Sequence, residues 1–302
     1  MMLTGLVDYA GLFPPAGRPM ADAVQAYASY RRGRWAWALG RFVVPAVRLD
    51  EFDAFARSFL PSGEGAIPWR LSALVSGDPA GDLGRIADFN VVHGPGSGAG
   101  RAVVDVIEAR IGVPGDVTPL RAIVPAGVSL VCELPLDGGL DQSVGAIEAA
   151  GAVAKARLGG TVADAFPSSA FVAEFLGSCA RRRVAFKATA GLHHPVRSVQ
   201  RLSYEPTSAE ARMHGFLNVF IAAALAWDAA VRGEEPDVAG LVRVLDCEDP
   251  RAFAFDESAA SWSGRRISLD VLSDMRRRFA LSFGSCSFEE PIDDLRALGW
   301  SV

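Results

Sequence analysis

Residues 153–189 contain two short apolar segments on either side of an amphipathic one, and they read VAKARLGGTVADAFPSSAFVAEFLGSCARRRVAFKAT. The outer segments, Val153–Arg157 and Ala185–Thr189, have the length and the bounding turns of buried strands. The stretch between them, Ser168–Ala180, has the spacing of a helix. A strand, a helix and a second strand in this order predict a βαβ unit with parallel strands.

The same alternation recurs along the whole chain. The other predicted strands are Gly5–Tyr9, Arg41–Pro45, Trp69–Val75, Ala102–Ile107, Leu130–Leu134 and Ala280–Gly284. Further predicted helices include Met20–Arg31, Leu49–Phe59, Leu140–Ala149 and Leu269–Arg278. Eight strands that alternate with helices over about 250 residues predict an α/β fold, a (β/α)8 TIM barrel.

We expect residues 1–302 to form a single barrel domain with an enlarged connection between strands seven and eight. Residues 196–268 are the predicted elaboration, with a long helix at Ala211–Arg232 and an irregular segment at Glu234–Gly264. This elaboration could cap the barrel mouth or mediate dimerisation. The alternative is a small appended subdomain with no direct catalytic part.

Composition excludes several classes of protein. A chain of 302 residues that is 50% hydrophobic, with a net charge of -5, is neither disordered nor suited to coat nucleic acid. Its four cysteines form no CxxC pair, which argues against a zinc ribbon and a disulfide framework. The N-terminus lacks the basic region of a signal peptide, and the longest apolar run, Phe216–Val231, is too short to span a bilayer. We therefore expect a cytoplasmic protein that acts on a small molecule, without a membrane or nucleic-acid partner.

Lysine use is the most informative feature of the composition. Lysine and arginine total 30, yet the only lysines are Lys155 and Lys187, in predicted strands six and seven. Lysine rarely lies inside an apolar strand. Burial and the repulsion between two neighbouring ammonium groups both lower a lysine pKa, and a neutral amine is what a Schiff-base nucleophile needs. Each lysine could instead pair with a carboxylate and merely help to close the barrel.

Six segments, in order along nearly the whole chain, resemble the deoxyribose-phosphate aldolase family. Ile147–Gly160 is similar to the segment that carries that family's Schiff-base lysine, and Phe186–Leu192 to the segment that carries its second lysine. Val103–Ile107 resembles the strand that carries the proton-shuttling aspartate. The remaining similar segments are Leu6–Tyr9, Phe42–Pro45 and Phe283–Ser287, the last of which resembles the family's phosphate loop.

The resemblance implies a class I aldolase that needs neither a metal nor another cofactor. Lys155 would form the Schiff base, Lys187 would lower its pKa, and Asp105 would move a proton through water. Asp105 could equally form an ion pair with a lysine and help to hold the barrel. The two roles are compatible.

The sequence departs from the family pattern in ways that predict a different substrate. Arg157 and Leu158 stand where the family has serine and threonine, and Arg157 could bind a carboxylate or phosphate in two-point fashion. Phe288 replaces the flexible end of the phosphate loop, and His193 and His194 have no counterpart. We therefore expect a small anionic carbonyl or sugar compound, and the iminium could support decarboxylation or dehydration instead of aldol cleavage.

The predicted substrate contacts come from the ends of several strands: Asp8, Glu133, Arg157, Gly191, His193, Gly284 and Ser285. A metal-dependent barrel enzyme that uses His193, His194 or His214 with Glu133 is an alternative, although no HxH or HxxxH spacing is present. A catalytically inactive barrel that binds a ligand or a protein is another. The sequence does not fix the oligomeric state, but a homodimer would be common for such a barrel.

Overall fold

The computed structural model describes residues 3–135 and 139–300; residues 1–2, 136–138 and 301–302, which the predicted domain includes, lie outside the described part. Thirteen strands are found in it. The first seven are β1 (Val7–Tyr9), β2 (Leu39–Pro45), β3 (Trp69–Leu74), β4 (Ala102–Arg110), β5 (Ser129–Glu133), β6 (Val153–Arg157) and β7 (Phe186–Thr189). The others are β8 (Ser198–Arg201), β9 (Glu210–Met213), β10 (Phe253–Phe255), β11 (Ala259–Trp262), β12 (Arg265–Ser268) and β13 (Ala280–Ser285).

Eight of these strands close into a parallel barrel in the order β1-β13-β7-β6-β5-β4-β3-β2. Helices alternate with them: α1 (Met20–Arg32), α2 (Leu49–Ala56), α3 (Pro79–Val92), α4 (Val117–Ile123), α5 (Leu140–Ala149), α6 (Ser169–Arg181), α7 (Phe216–Val231), α8 (Val238–Leu245), α9 (Leu269–Arg278) and α10 (Glu289–Ala297). The predicted (β/α)8 fold is confirmed. None of the helices in the described ranges is long and apolar enough to cross a membrane.

Helix α7 is the apolar run noted in the sequence, and it is a core element. Phe216 and Phe220 pack on Phe283 of β13, with ring centroids 5.3 and 6.2 Å apart. The opposite face of the helix is covered by α6, α8 and α9. Its buried polar residue, Asn218, donates to the carbonyls of Val244 and Cys247 at 2.7 and 2.8 Å. A helix packed on all sides has no polar face, which explains why nearly all of its residues are apolar.

The connection between β7 and β13 is more regular than the sequence suggested. The predicted helix at Ala211–Arg232 begins only at Phe216, because β9 occupies Glu210–Met213 and Gly215 is extended, with ψ of 141°. The segment Glu234–Gly264, predicted to be irregular, contains α8 and two strands. These elements are too short to show a clear helix or strand period in the sequence. The antiparallel hairpin β8–β9 borders the C-terminal end of the barrel, where it contributes to the wall of a cavity.

Two glycines bring the backbones after β6 and β7 into contact beside this cavity. Gly191 has a φ of 68°, a left-handed conformation, and a Cβ there would lie 2.7 Å from the carbonyl oxygen of Leu158. A Cβ on Gly159 would lie 2.8 Å from the Cα of Gly191. Both distances are shorter than a side chain tolerates. Glycine at these positions therefore sets the spacing between the two lysine-bearing strand ends.

We expect Gly191→Ala to destabilise the protein more than Gly151→Ala does. Gly151 has a similar φ of 60°, but a Cβ there would meet nothing within 4 Å, so it isolates the cost of the left-handed backbone. That cost is about 1–2 kcal/mol, and Gly191→Ala should exceed it because of the clash with Leu158. Urea unfolding of the two variants measures the difference. Equal free energies of unfolding would show that the loops move apart without strain.

Candidate active site

The two lysines lie side by side in one cavity at the C-terminal end of the barrel. Strands β6 and β7 pair Lys155 directly with Lys187, and the side chains are 2% and 3% exposed. On β6, Lys155 shares a face with Val153 and Arg157, while the alanines between them are buried on the other face. The cavity has a volume of about 920 Å³, and both lysines line it. The predicted convergence of the two amines is therefore present.

Three buried carboxylates surround these amines. The Lys155 Nζ lies 2.6 Å from Glu108 Oε2 and 2.7 Å from Glu133 Oε2. The Lys187 Nζ lies 2.5 Å from Glu108 Oε1 and 2.6 Å from Asp8 Oδ2. Glu108 therefore bridges the two lysines, with one oxygen on each. This contact pattern agrees with the alternative stated in the sequence analysis, in which each lysine pairs with a carboxylate.

Each carboxylate also accepts hydrogen bonds from the surrounding strands. Ser72 Oγ donates to Glu108 at 2.6 Å, and Ser282 Oγ donates to Asp8 at 2.8 Å. The backbone N–H of Arg41 donates to the second oxygen of Asp8 at 2.7 Å. Both oxygens of Glu108 and of Asp8 thus have partners, as burial of a charge requires.

Glu133 connects the buried cluster with the cavity rim. Its Oε1 accepts from Arg157 Nε at 2.9 Å and, more weakly, from Arg110 Nη2 at 3.4 Å. The Arg157 side chain is 37% exposed and that of Arg110 is 75% exposed. The pairing of Lys155 with Glu133 therefore leads outward to two arginines at the mouth of the barrel.

The electrostatics of Lys187 differ from the sequence-based expectation. Burial lowers the pKa of Lys187, but Asp8 and Glu108 outweigh it and hold that pKa above its ordinary value. Burial likewise raises the pKa of Glu108, yet Lys155 and Lys187 hold it well below its ordinary 4.5. The prediction of a lowered pKa was wrong for Lys187 because it did not include the pairing of this amine with Asp8 and Glu108. The attraction between the two ammonium groups and the three carboxylates outweighs the repulsion between the two ammonium groups.

Asp105 does not belong to this cluster. Its carboxylate is bound by Arg41 Nε at 2.7 Å and by Arg70 Nη2 at 2.5 Å, and it does not line the cavity. Strand β4 is irregular at this point. Leu71 of β3 pairs with Val104, and the next β3 residue pairs with Val106, so Asp105 has no pairing residue on β3. The predicted acid on strand four is replaced in space by Glu108, three residues later.

The four candidates for a metal site do not converge. His193 Nδ1 lies 2.9 Å from Glu290, His194 Nδ1 lies 2.5 Å from Asp294, and His214 Nε2 lies 2.7 Å from the carbonyl of Pro167. Glu133 lies with Lys155. Within residues 3–135 and 139–300, no group of three or more histidine, cysteine or acidic side chains could hold a metal ion. The metal-dependent alternative thus lacks the geometry that it requires.

The loop that resembles a phosphate loop lies beside negative charge. Gly191 and Gly284 line the cavity, and the buried Ser285 Oγ accepts from the backbone N–H of Ser287 at 3.3 Å. Glu289 and Glu290 occupy the first turn of α10, where a bound anion would profit from the helix dipole. Because two carboxylates at that helix terminus would repel an anion, the loop is poorly suited to a phosphate.

Positive charge is available elsewhere around the mouth. Arg110, Arg157 and Arg201 all line the cavity. Arg201 lies at the end of β8, and its guanidinium forms no ion pair with any residue that the structure describes. The sequence analysis identified Arg157 only. Arg110 is the last residue of β4, as Arg157 is of β6. A predicted strand four that extended three residues further would have included both Glu108 and Arg110.

We expect Glu108→Gln to cost about 3–5 kcal/mol of stability at neutral pH, because it leaves two buried ammonium groups short of a partner. Glu108 stabilises the fold above its unfolded-state pKa, since its folded-state pKa is the lower one, and that contribution is lost as the pH falls. The variant should therefore lose less stability on acidification than the native protein. Urea unfolding at several pH values measures both effects.

The control for this substitution is Glu51→Gln. It breaks the partly exposed pair between Glu51, on α2, and Arg48, which directly precedes α2. It should change the free energy of unfolding by less than about 1 kcal/mol. A cost for Glu108→Gln no larger than this would show that water reaches the cluster and compensates the lost charge.

No protein-family model matches the chain, and a search of curated proteins finds no significant match. The functional assignment consequently depends on the chemistry of the side chains in the cavity.

Proposed function

We propose that the protein is a Schiff-base-forming lyase of the aldolase type, in which Lys155 attacks the carbonyl group of a small anionic compound. The observation that carries the proposal is the position of the Lys155 amine. It is almost fully buried, it lines the cavity, and it lies between Glu108 and Glu133 at hydrogen-bond distance. A nucleophilic lysine needs such neighbours to remove its proton and to stabilise the iminium cation that follows.

The contacts favour Lys155 over Lys187 as the nucleophile. Lys187 also lines the cavity, but its partner Asp8 is buried and is held by Ser282 and by the backbone of β2. Lys155 is paired with Glu133, which is in contact with the exposed arginines of the rim. Glu133 can therefore take up a proton from Lys155, and it lies nearer to the rim than Asp8 does.

Schiff-base formation begins with a proton transfer from the Lys155 ammonium to Glu133. The neutral amine then adds to the substrate carbonyl and forms a carbinolamine. Glu133 returns its proton to the carbinolamine hydroxyl, water leaves, and the nitrogen electrons form the C=N bond of the iminium. The positive charge stays at the position of the former ammonium, where Glu108 and Glu133 already face it.

The iminium changes the basicity of the carboxylates around it. An ammonium group has three N–H donors, and two of them bind Glu108 and Glu133; the iminium keeps a single N–H. One carboxylate therefore loses a donor and becomes a stronger base. We assign this role to Glu108, which lines the cavity, in place of Asp105.

Glu108 accepts the proton of the substrate hydroxyl, the C–C bond breaks, and its electron pair moves into the iminium to form an enamine. An aldehyde leaves. Glu108 gives this proton to the enamine carbon, and water hydrolyses the resulting iminium to release the second product and the free amine of Lys155. The reverse sequence forms the bond.

Trapping with borohydride tests the nucleophile. Borohydride reduction with acetaldehyde, dihydroxyacetone or pyruvate should leave one stable adduct on Lys155, because reduction fixes the iminium. Since the chain has only two lysines, peptide mass spectrometry separates Lys155, Lys187 and the N-terminal amine directly. Lys155→Ala should abolish the adduct, and Lys155→Arg, which keeps the buried charge, provides the folding control. An adduct on Lys187 alone would contradict the assignment.

Arg157→Leu should weaken the use of anionic substrates. Loss of a hydrogen bond to a charged group costs about 1.5–3 kcal/mol, so kcat/KM or trapping efficiency with pyruvate should fall about tenfold or more. A neutral ketone such as acetone should be much less affected. Arg85→Leu, at an exposed position on α3, removes the same charge away from the cavity. Unchanged anion use together with a large drop in Tm would mean that Arg157 is purely structural.

A further inference from the structure

Cys286 lies in the same cavity and has the surroundings of an activated thiol. It directly follows β13, it is 4% exposed, and it lines the cavity together with His193, Tyr204 and Glu290. The Sγ lies 4.0 Å from His193 Nε2 and 3.7 Å from the Tyr204 hydroxyl. The mechanism proposed for Lys155 uses none of these groups.

His193 is oriented as a general base would be. One ring nitrogen, Nε2, faces the Cys286 sulfur, and the other, Nδ1, contacts Glu290 Oε2 at 2.9 Å. Glu290 also accepts from the Tyr204 hydroxyl at 3.4 Å, which ties the hairpin loop to α10. A thiol, an imidazole and a carboxylate in this succession are the arrangement that activates a nucleophilic cysteine.

From this geometry we infer that Cys286, His193 and Glu290 form a second nucleophilic centre, which captures small aldehydes as hemithioacetals.

The charges around the sulfur agree with this role. Burial lowers the pKa of His193, but Cys286 and Glu290 outweigh it and raise that pKa to about 10. Burial raises the pKa of the Cys286 thiol, yet His193, Tyr204 and the backbone N–H of Ala16 hold it below its ordinary value. Both shifts favour a proton on His193 over a proton on Cys286, which is the direction that activates the sulfur.

The other cysteines lack these surroundings. Burial raises the pKa of Cys132 to about 12 and raises that of Cys179 as well, so both are inert thiols. Cys247 is partly exposed, and its Sγ donates to the carbonyl of Asp249 at 3.6 Å. It serves as an internal reference for an ordinary reactive thiol.

Hemithioacetal formation needs no reactant other than the thiol and the aldehyde. Cys286 gives its thiol proton to His193, the sulfur adds to the aldehyde carbon, a C–S bond forms, and the C=O π electrons move to the oxygen. His193 gives its proton to that oxygen and becomes a neutral imidazole. Aldehydes are the fitting class because thiols add to ketones far less favourably. An aldehyde released at Lys155 would meet this sulfur within the same cavity.

Alkylation with iodoacetamide, followed by peptide mass spectrometry, tests the centre. In mildly acidic buffer, Cys286 should react about tenfold faster than Cys247, because an ordinary thiol is mostly protonated there. His193→Asn should remove this advantage, and Glu290→Gln should reduce it while changing the pH profile less. A Cys286 rate that follows the profile of Cys247 would overturn the proposal.

Acetaldehyde should protect Cys286 from alkylation, and it should do so equally in Lys155→Ala. Protection that disappears in Lys155→Ala would mean that the aldehyde is bound as a Schiff base only. Absence of protection in both proteins would leave an activated thiol that does not capture aldehydes. Either result overturns this inference, and neither contradicts borohydride trapping at Lys155, so the two proposals fail independently.

Discussion

Glu108 accepts one ammonium group on each of its oxygens, and the interior of this barrel depends on that bridge. Two lysines paired directly across β6 and β7 would repel each other strongly in a water-poor space. Asp8 and Glu133 complete the pairing at either side, so the charges alternate along a chain of five groups. Removing any one member leaves an uncompensated buried charge, which costs far more than the intact network contributes. The five residues therefore act as one unit.

The same network sets the conditions for chemistry. A lysine held by two carboxylates is a stable cation, and a cation is not a nucleophile. The proposed reaction resolves this conflict because the iminium keeps the positive charge in place while it replaces the ammonium. The carboxylates thus stabilise the resting state and the covalent state alike, and the proton alone has to move. Glu133 would accept it from Lys155 and return it, since one oxygen of Glu133 faces the Lys155 amine while the other is held by arginines of the rim.

Most of the fold could be predicted from the sequence, because strand and helix periods are local properties. The lysines were found for a related reason: each interrupts a short run of small apolar residues at a strand end. Glu108 was missed because strand four was predicted to end at Ile107, although the strand extends to Arg110. Pairings between residues far apart in sequence, such as Asp8 with Lys187, depend on barrel closure. No local pattern encodes them, and the expected pKa of Lys187 was wrong for that reason.

The barrel geometry keeps the two proposed nucleophiles apart within one cavity. Lys155 is on β6 and Cys286 follows β13, with β7 between them. The Lys155 nitrogen is surrounded by carboxylates, whereas the Cys286 sulfur lies beside the imidazole of His193. Glu290 contacts the opposite nitrogen of that imidazole. A thiolate at Cys286 would therefore have its counter-ion in His193 and would not compete with the carboxylates for the ammonium groups, so the chemistry proposed for one centre does not require the other.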